Sequence, residues 1–240
     1  AVTEDDTIIV NTGAYNADGS IKWSRAVNNA VIDPHGTGRV YSSDLNVSAI
    51  DLANGLDSWV FNPDGAISYS PAIGEDKTLY FGDSDGVFYA VGQDGIERWR
   101  FNISGRVNTG TPVIAPDGSI YVLFSDGSGD ERLYALASDG TLKWTFRVGL
   151  GSTAPVVGAD GTVYITTNTM TALNPDGTIK WSVVTFRNGR ASSAIDIDGT
   201  LLAPLRSTLF ALDVETGGLA SSAWPMRRQN LRNTAVIVAP

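Results

Sequence analysis

The chain has 240 residues, of which 42% are apolar, so it is long and apolar enough to bury a sizeable core and is not a disordered chain. Its formal charge of −9 argues against general nucleic-acid binding, and the absence of cysteine excludes disulfides and thiolate metal sites. No apolar run approaches the roughly 20 residues that a membrane-spanning helix needs.

Along the chain, six tryptophans recur at intervals of roughly 40 residues, each preceded by an alanine and a glycine in the same order. In chain order the sets are Ala14, Gly19, Trp23; Ala49, Gly55, Trp59; Ala90, Gly95, Trp99; Ala135, Gly140, Trp144; Ala172, Gly177, Trp181; and Ala211, Gly217, Trp224. Four sets have identical spacing, and the second and sixth have a longer turn. Six copies in register predict a repeat architecture.

Each copy is predicted to form four strands. In the fifth copy these are residues 152–157, 162–166, 170–173 and 178–184, with hairpin turns at Asp160-Gly161 and Asp176-Gly177. Four-stranded units of this length are typical of β-propellers. We therefore predict an all-β chain that forms one domain over residues 1–240, a six-bladed β-propeller of four-stranded antiparallel blades. The alanine leaves room for the indole, and the tryptophan covers the contact between blades.

The two ends of the chain predict how the ring closes. Residues 234–240 match residues 111–116, and residues 5–9 look like the continuation of that internal copy at 117–121. We expect the first blade to lack its innermost strand and the C-terminal strand to pair into it, which covers two open strand edges. The alternative is a fragment of a larger propeller.

The second and sixth copies resemble the tryptophan-docking motif of the pyrroloquinoline-quinone-like propeller repeats, the second in full and the sixth in its first part. The matching segments are Ala49-x-Asp51-x-x-x-Gly55-x-x-x-Trp59 and Ala211-x-Asp213-x-x-x-Gly217. The run Trp224-Pro225-Met226-Arg227-Arg228 is similar to a segment common in bacterial members. The resemblance covers the whole chain and implies an extracellular, periplasmic or cell-surface location.

The same repeats serve quinone dehydrogenases, outer-membrane assembly lipoproteins and sensor ectodomains. The dehydrogenases of the family typically have eight blades, a calcium ion beside the quinone and often a vicinal disulfide. This chain has six repeats, no cysteine and no segment that matches their catalytic residues. The resemblance therefore favours the non-enzymatic branch, with no catalytic residue assigned and no quinone cofactor expected.

Three loops carry acidic or titratable side chains that could form chemical sites. His35 lies in a predicted turn, where we expect it to be solvated. Two loops cluster oxygen ligands suited to calcium; their acids are Asp83 and Asp85 in one, and Asp126 and Asp130 in the other. Because β-turns also favour Asp, Ser and Gly, we prefer turn chemistry and predict no metal, with calcium as the alternative.

Charge is predicted to differ between the two faces of the propeller. Turns after first and third strands are acidic, whereas connections from a fourth strand to the next blade carry arginine and asparagine but no lysine. The candidate ligand-binding residues are Arg25, Asn29, Arg106, Asn108, Arg147, Arg187, Arg190, Arg232 and Asn233. Guanidinium groups suit carboxylates and phosphates, so an acidic peptide loop or an anionic or polar glycan fits this face.

The alternative for these arginines is structural. They can pair with acids predicted on the same face and so join one blade to the next. The acids are Asp44, Asp64, Asp83, Asp85, Asp126 and Asp130. We predict a binding or scaffold module with a protein partner. Carbohydrate binding and a quinone-dependent dehydrogenase are the alternatives.

Overall fold

The computed structural model describes residues 2–3, 6–103, 106–125, 131–149, 151–184, 192–196, 198–205, 208–214 and 217–221, with the backbone alone for 106–109, 205 and 208. These ranges contain β-strands and no helix, and hence no helix that could cross a membrane. The all-β prediction is confirmed.

The strands form six antiparallel sheets in chain order. The first contains β1 (Ile8–Val10), β2 (Gly13–Tyr15) and β3 (Ile21–Ser24). The second contains β4 (Val31–Ile32), β5 (Arg39–Ser43), β6 (Val47–Asp51) and β7 (Asp57–Phe61). The third contains β8 (Ala72–Ile73), β9 (Leu79–Gly82), β10 (Val87–Val91) and β11 (Glu97–Asn102).

The fourth sheet contains β12 (Arg106–Ile114), β13 (Ile120–Ser125), β14 (Glu131–Leu136) and β15 (Leu142–Arg147). The fifth contains β16 (Val156–Val157), β17 (Val163–Thr166), β18 (Thr169–Leu173) and β19 (Ile179–Val184). The sixth contains β20 (Ala194–Ile195), β21 (Thr200–Leu205) and β22 (Thr208–Asp213). Four strands per copy are thus confirmed in sheets two to five, while three strands are described in the first and last sheets.

A row of tyrosine, alanine and tryptophan crosses each of the four central sheets. In the third sheet, Ala90 on β10 pairs with Tyr80 on β9 and with Trp99 on β11. The alanine is fully buried, and the two rings lie 5.8 Å apart across it. A larger residue at this position would separate the two aromatic side chains, which explains why alanine recurs there.

Four of the marker indoles, those of the first four sheets, reach forward into the following sheet, whereas an added Cβ on Gly217 in the sixth copy would have no atom within 4 Å. Trp59 Nε1 donates a 2.7 Å hydrogen bond to the carbonyl oxygen of Gln93, and a Cβ on Gly95 would lie 2.8 Å from the Trp59 ring. The same pair of contacts joins Trp23 to Leu52 and Gly55, Trp99 to Ser138 and Gly140, and Trp144 to Pro175 and Gly177. The glycine therefore makes room for the tryptophan of the preceding copy, in addition to forming its own turn.

The core lies in the contacts between neighbouring sheets, which we call seams. The largest apolar cluster runs from Tyr41 in the second sheet through Phe81 in the third to Phe124 in the fourth. Phe61 at the end of β7 contacts both Phe81 and Tyr89 edge-on, at ring distances of 5.8 and 5.5 Å. Burial of each aromatic side chain of this kind contributes about 1.5–3 kcal/mol to the free energy of unfolding.

The N-terminal segment repeats the geometry of an internal copy. Val2 pairs with Ile8 in the same register as Ile114 with Ile120, and Asp6 adopts a φ of 59° where Gly118 has 78°. Val2 therefore lies opposite Ile8 in an isolated pairing, at the position where the sequence comparison predicts the C-terminal strand. The closing strand at 234–240 and Trp224 lie outside the described residues, so ring closure and a blade number of six stay predictions.

Candidate functional site

The predicted arginine- and asparagine-rich face is described best between the first and second sheets. Arg25 follows β3 and donates to both carboxylate oxygens of Asp57, at 2.9 and 3.3 Å, and to the carbonyl oxygen of Gly55 at 3.0 Å. Asn29 has a left-handed φ of 47° and donates to the carbonyl oxygen of Ser43 at 3.1 Å. Arg25 thus joins two sheets, as in the structural alternative, and its acidic partner is Asp57 at the start of β7 rather than one of the acids predicted above.

The other candidates on this face are described in part. Arg147 ends β15, where it pairs with Arg132 on β14. Arg106 and Asn108 lie on β12, where the structure describes the backbone. Outside the described residues are Arg187, Arg190, Arg232 and Asn233. An arginine-lined site that collects these residues therefore stays a prediction.

Asp83, one of the candidate calcium ligands, is buried, and both of its carboxylate oxygens accept hydrogen bonds from protein donors. Oδ2 accepts hydrogen bonds from the Tyr89 hydroxyl and the Gly65 amide, both at 2.9 Å. Oδ1 accepts from the backbone amides of Asp85 and Val87, at 3.0 and 2.9 Å. These four bonds favour the turn interpretation over a calcium site, because a cation would have to displace them.

The exposed neighbours of Asp83 do not gather around a cation either. Asp85 is exposed and its Oδ1 accepts a long contact from Ser84. Among the described residues there is no group of three or more His, Cys, Asp or Glu side chains that could hold a metal. Asp126 and Asp130 lie outside the described residues.

An arginine side chain contacts the residues around Asp83. Arg100 on β11 bonds Asp64 at 2.8 Å and Glu97 at 2.7 Å, and its guanidinium lies 5.2 Å from the centre of the Tyr89 ring. The Tyr89 hydroxyl in turn accepts a hydrogen bond from the Asp64 amide. Burial raises the pKa of Tyr89 above its usual value, so this phenol is neutral at physiological pH. The network fixes the connection between the second and third sheets.

A second buried carboxylate fixes the connection after the fourth sheet. Glu131 begins β14 and accepts hydrogen bonds from the Ser152 amide, at 2.8 Å, and from the Ser152 hydroxyl. Its carbonyl oxygen accepts from the amide of Val148. In both places, therefore, a buried carboxylate on this face accepts a hydrogen bond from the backbone of a segment that connects two sheets. The sequence carries no local sign of these pairings, since the partners are about 20 residues apart.

The acidic turns of the opposite face are built by their own aspartates. Asp18, Asp94, Asp139 and Asp176 each accept a hydrogen bond from the backbone amide two residues later. These bonds and the side-chain hydrogen bonds hold the pKa of all four carboxyls below the usual value. At neutral pH this face is therefore charged, and part of its charge has a structural use.

His35 does not behave as the solvated turn residue that the sequence suggests. It is half-buried, and its Nε2 lies 2.9 Å from the carbonyl oxygen of Gly74 in the next sheet. Its backbone amide donates to Asp33, which is buried and also accepts hydrogen bonds from Thr37 and Tyr41. His35 therefore joins the second sheet to the third.

Sequence reasoning missed the exposed apolar side chains on or just before the edge strands, which are the last strands of the first five sheets (β3, β7, β11, β15 and β19). One aliphatic residue follows the turn glycine within two positions in five copies and is exposed. These residues are Ile21, Leu56, Ile96, Leu142 and Ile179. On β19, Val183 and Val184 are exposed as well. The signal was present as an aliphatic residue after each turn glycine.

The comparisons with known proteins agree with this architecture. The family model described as outer membrane protein assembly factor BamB matches residues 1–129 and 84–236. The crystal structure of BamB from Moraxella catarrhalis has a TM-score of 0.68 at 17% identity, and the match covers 94% of this chain and 75% of that one. No curated protein sequence matches this chain.

Two dehydrogenase structures also have this fold. The quinohemoprotein alcohol dehydrogenase from Comamonas testosteroni has a TM-score of 0.60 at 17% identity, with 85% of this chain and 43% of that one covered. A europium-containing methanol dehydrogenase has a TM-score of 0.62 at 14% identity, with 82% and 51% covered. The chain thus spans about half the length of these enzymes or less. On the family match, this chain belongs to the pyrroloquinoline-quinone-like repeat family whose model is described as outer membrane protein assembly factor BamB.

Proposed function

We propose that this chain is a non-catalytic β-propeller scaffold that binds another protein outside the cytoplasm, in the periplasm, at the cell surface or extracellularly. The observation that carries the proposal is the contrast between its polar and apolar side chains. The charged groups described above bond to neighbouring sheets and turns, whereas aliphatic side chains remain exposed along the edge strands. Contiguous exposed apolar surface is characteristic of protein interaction sites, and Val183 and Val184 on β19 form such a neighbouring pair.

The family supports the same reading. The matching model is described as an assembly factor and spans nearly the whole chain, so a role in holding other proteins together agrees with it. We further propose that residues 1–240 form one closed ring of six blades. The sequence match between residues 234–240 and 111–116 supports this arrangement, as do the six antiparallel sheets in chain order.

A quinone-dependent dehydrogenase is the second candidate, and the two enzyme structures of the same fold are what favour it. The chain corresponds to less of those enzymes than of the BamB structure, 43% and 51% against 75%. Calcium and pyrroloquinoline quinone would be its cofactors. Dye reduction by short alcohols after both are added would support this candidate and contradict the scaffold.

The scaffold proposal can be tested by photo-crosslinking in cells of the native host. A benzophenone amino acid replaces one exposed residue at a time: Leu45 near the polar connections, Ile96 near the acidic turns, and Val60 or Val184 on edge strands. We expect a discrete protein adduct from at least one position. Absence of adducts from all four positions, or retention of the purified chain on a glycan array in their place, would refute protein binding.

A further inference from the structure

A short segment of the sixth copy pairs with the fifth sheet. We call this segment, residues 217–221, the strap. The Ala220 N–H donates to the carbonyl oxygen of Val157 at 3.1 Å, and the Ala159 N–H donates to the carbonyl oxygen of Gly218 at 3.0 Å. These two bonds have the pattern of an antiparallel ladder. The strap is therefore a short extra strand of the fifth sheet.

The strap pairs with the inner edge of β16. The Gly158 N–H donates to the carbonyl oxygen of Thr162 at 2.9 Å, on the side of β17, so the N–H and C=O of Val157 point away from β17. On that side lie the first strands of other sheets, since β16 contacts β12 and β20, and β12 contacts β8. We call the region that these first strands border the centre. A paired strand lies about 4.8 Å from β16, so the strap lies within the centre.

The side chains of the strap pack into the seams on both sides of the fifth sheet. Ala220 is 5% exposed and belongs to the apolar cluster that contains Val113 of the fourth sheet. Leu219 is partly buried and packs against the cluster that contains Ile195 of the sixth sheet. Successive side chains of an extended segment point to opposite sides, which explains this alternation. The strap is thus in contact with three sheets.

The spacing of the sequence shows that the strap is an addition to the sixth copy. The turn glycine and the marker tryptophan are four residues apart in five copies, as at Gly140 and Trp144, but seven apart at Gly217 and Trp224. Gly217 and Gly218 have φ values of 70° and 106°, which residues with a side chain rarely adopt. Two glycines and three extra residues therefore bring the chain to the centre.

The position of the strap along β16 indicates which end of the centre it covers. Gly158, which lies opposite Leu219, begins the turn that carries Asp160. This turn follows a first strand and so belongs to the acidic face. We propose that the strap closes the centre at the acidic face, so that a partner segment reaches the centre from the polar face alone. This inference rests on the closed ring and the scaffold function proposed above, and it names the face at which the partner enters.

Deletion of residues 219–221 tests the proposal, because it gives the sixth copy the four-residue spacing of the other five. The amides of Ile73 and Ile195 report on the centre. Each precedes a residue whose N–H donates towards its own second strand, so each points inward, at the acidic end of its strand. Relaxation of these amides by a neutral gadolinium chelate is measured by nuclear magnetic resonance. We expect at least a threefold rise on deletion, and no change at Ala90 between β9 and β11.

A substitution replaces the deletion if the shortened chain loses the circular dichroism of the parent. Ala220→Pro removes the N–H that bonds to Val157 and should give the same rise. Unchanged relaxation of both reporter amides in a folded variant would overturn the proposal.

An engineered disulfide tests the placement of the strap. The chain has no cysteine, so Gly158→Cys with Leu219→Cys can form one disulfide only. The two bonds flank this pair, and Cα atoms at such a position are about 4.5 Å apart, within the range of a disulfide. We expect it to close at least tenfold faster than the control pair Gly158→Cys with Ser221→Cys. Equal rates would overturn the placement.

The outcomes separate this inference from the proposals on which it rests. Strong relaxation of the inward amides already in the parent would mean that the centre is open at the acidic face or that the ring is not closed, and it would overturn the inference. That result would leave the crosslinking test of the scaffold unaffected. Absence of cellular adducts from all four crosslinker positions would refute the scaffold function, while a rise in relaxation on deletion would still establish that the strap closes the centre.

Discussion

The docking of Trp99 on the fourth sheet predicts a large cost for one methyl group at Gly140. A Cβ there would lie 2.7 Å from the Trp99 ring, and the residue has a φ of 86°. The left-handed backbone costs a non-glycine residue about 1–2 kcal/mol. Overpacking against the indole adds about 1–3 kcal/mol, since carbon atoms normally approach to about 3.5–4.0 Å. We expect Gly140→Ala to lose about 2–5 kcal/mol of unfolding free energy.

Gly118 provides the matched control. It closes the same type of turn with a φ of 78°, but the nearest atom to an added Cβ is that of Ser138, at 4.0 Å. Gly118→Ala should therefore cost only the backbone strain, about 1–2 kcal/mol. Urea unfolding followed by tryptophan fluorescence and circular dichroism measures both variants. Equal losses for the two substitutions would refute the claim that the glycine makes room for the indole.

Three further predictions use other contacts. If the ring closes through the sixth marker tryptophan, Gly19→Ala should resemble Gly140→Ala in urea unfolding; a loss no greater than that of Gly118→Ala would argue against closure. Asp83→Asn places an amide group opposite buried donors and should lower the unfolding free energy by about 2–3 kcal/mol, whereas exposed Asp85→Asn should change it by less than about 0.5 kcal/mol; equal effects would contradict the network. Burial raises the pKa of Tyr80 and Tyr121 to about 12. Unfolded tyrosines ionise near pH 10, so this stability is complete below about pH 10 and falls as the pH rises towards 12. Ultraviolet titration should show late phenolate formation in the folded chain, and normal titration of all eight tyrosines would contradict it.

The repeat was readable from the sequence because its signals are local. Asp-Gly turns and the spacing of alanine and tryptophan lie within one copy, where hairpin chemistry and strand pairing determine the structure. Ala172 and Trp181, for example, were placed on paired strands and do pair. Strand ends were less accurate: β16 spans Val156–Val157, whereas residues 152–157 were predicted.

The site was less predictable because its contacts join different copies. Arg25 was assigned to a ligand face, but it lies against Asp57 because the second sheet packs beside β3. His35 was expected in solvent and contacts Gly74, 39 residues away. Such pairings depend on how sheets pack, which residue spacing within one copy does not encode.

The forward direction of the indole contacts has a consequence for synthesis on the ribosome. Trp23 contacts Gly55, which is translated 32 residues later. A newly synthesised sheet therefore leaves the ribosome before the residues that bury its tryptophan have been made. A nascent chain of any length should therefore carry one solvent-exposed indole at its growing end. Truncation from the C-terminus should leave the same kind of exposed indole, while truncation from the N-terminus should leave a glycine turn that no indole covers. The two kinds of fragment should differ in chaperone binding and solubility.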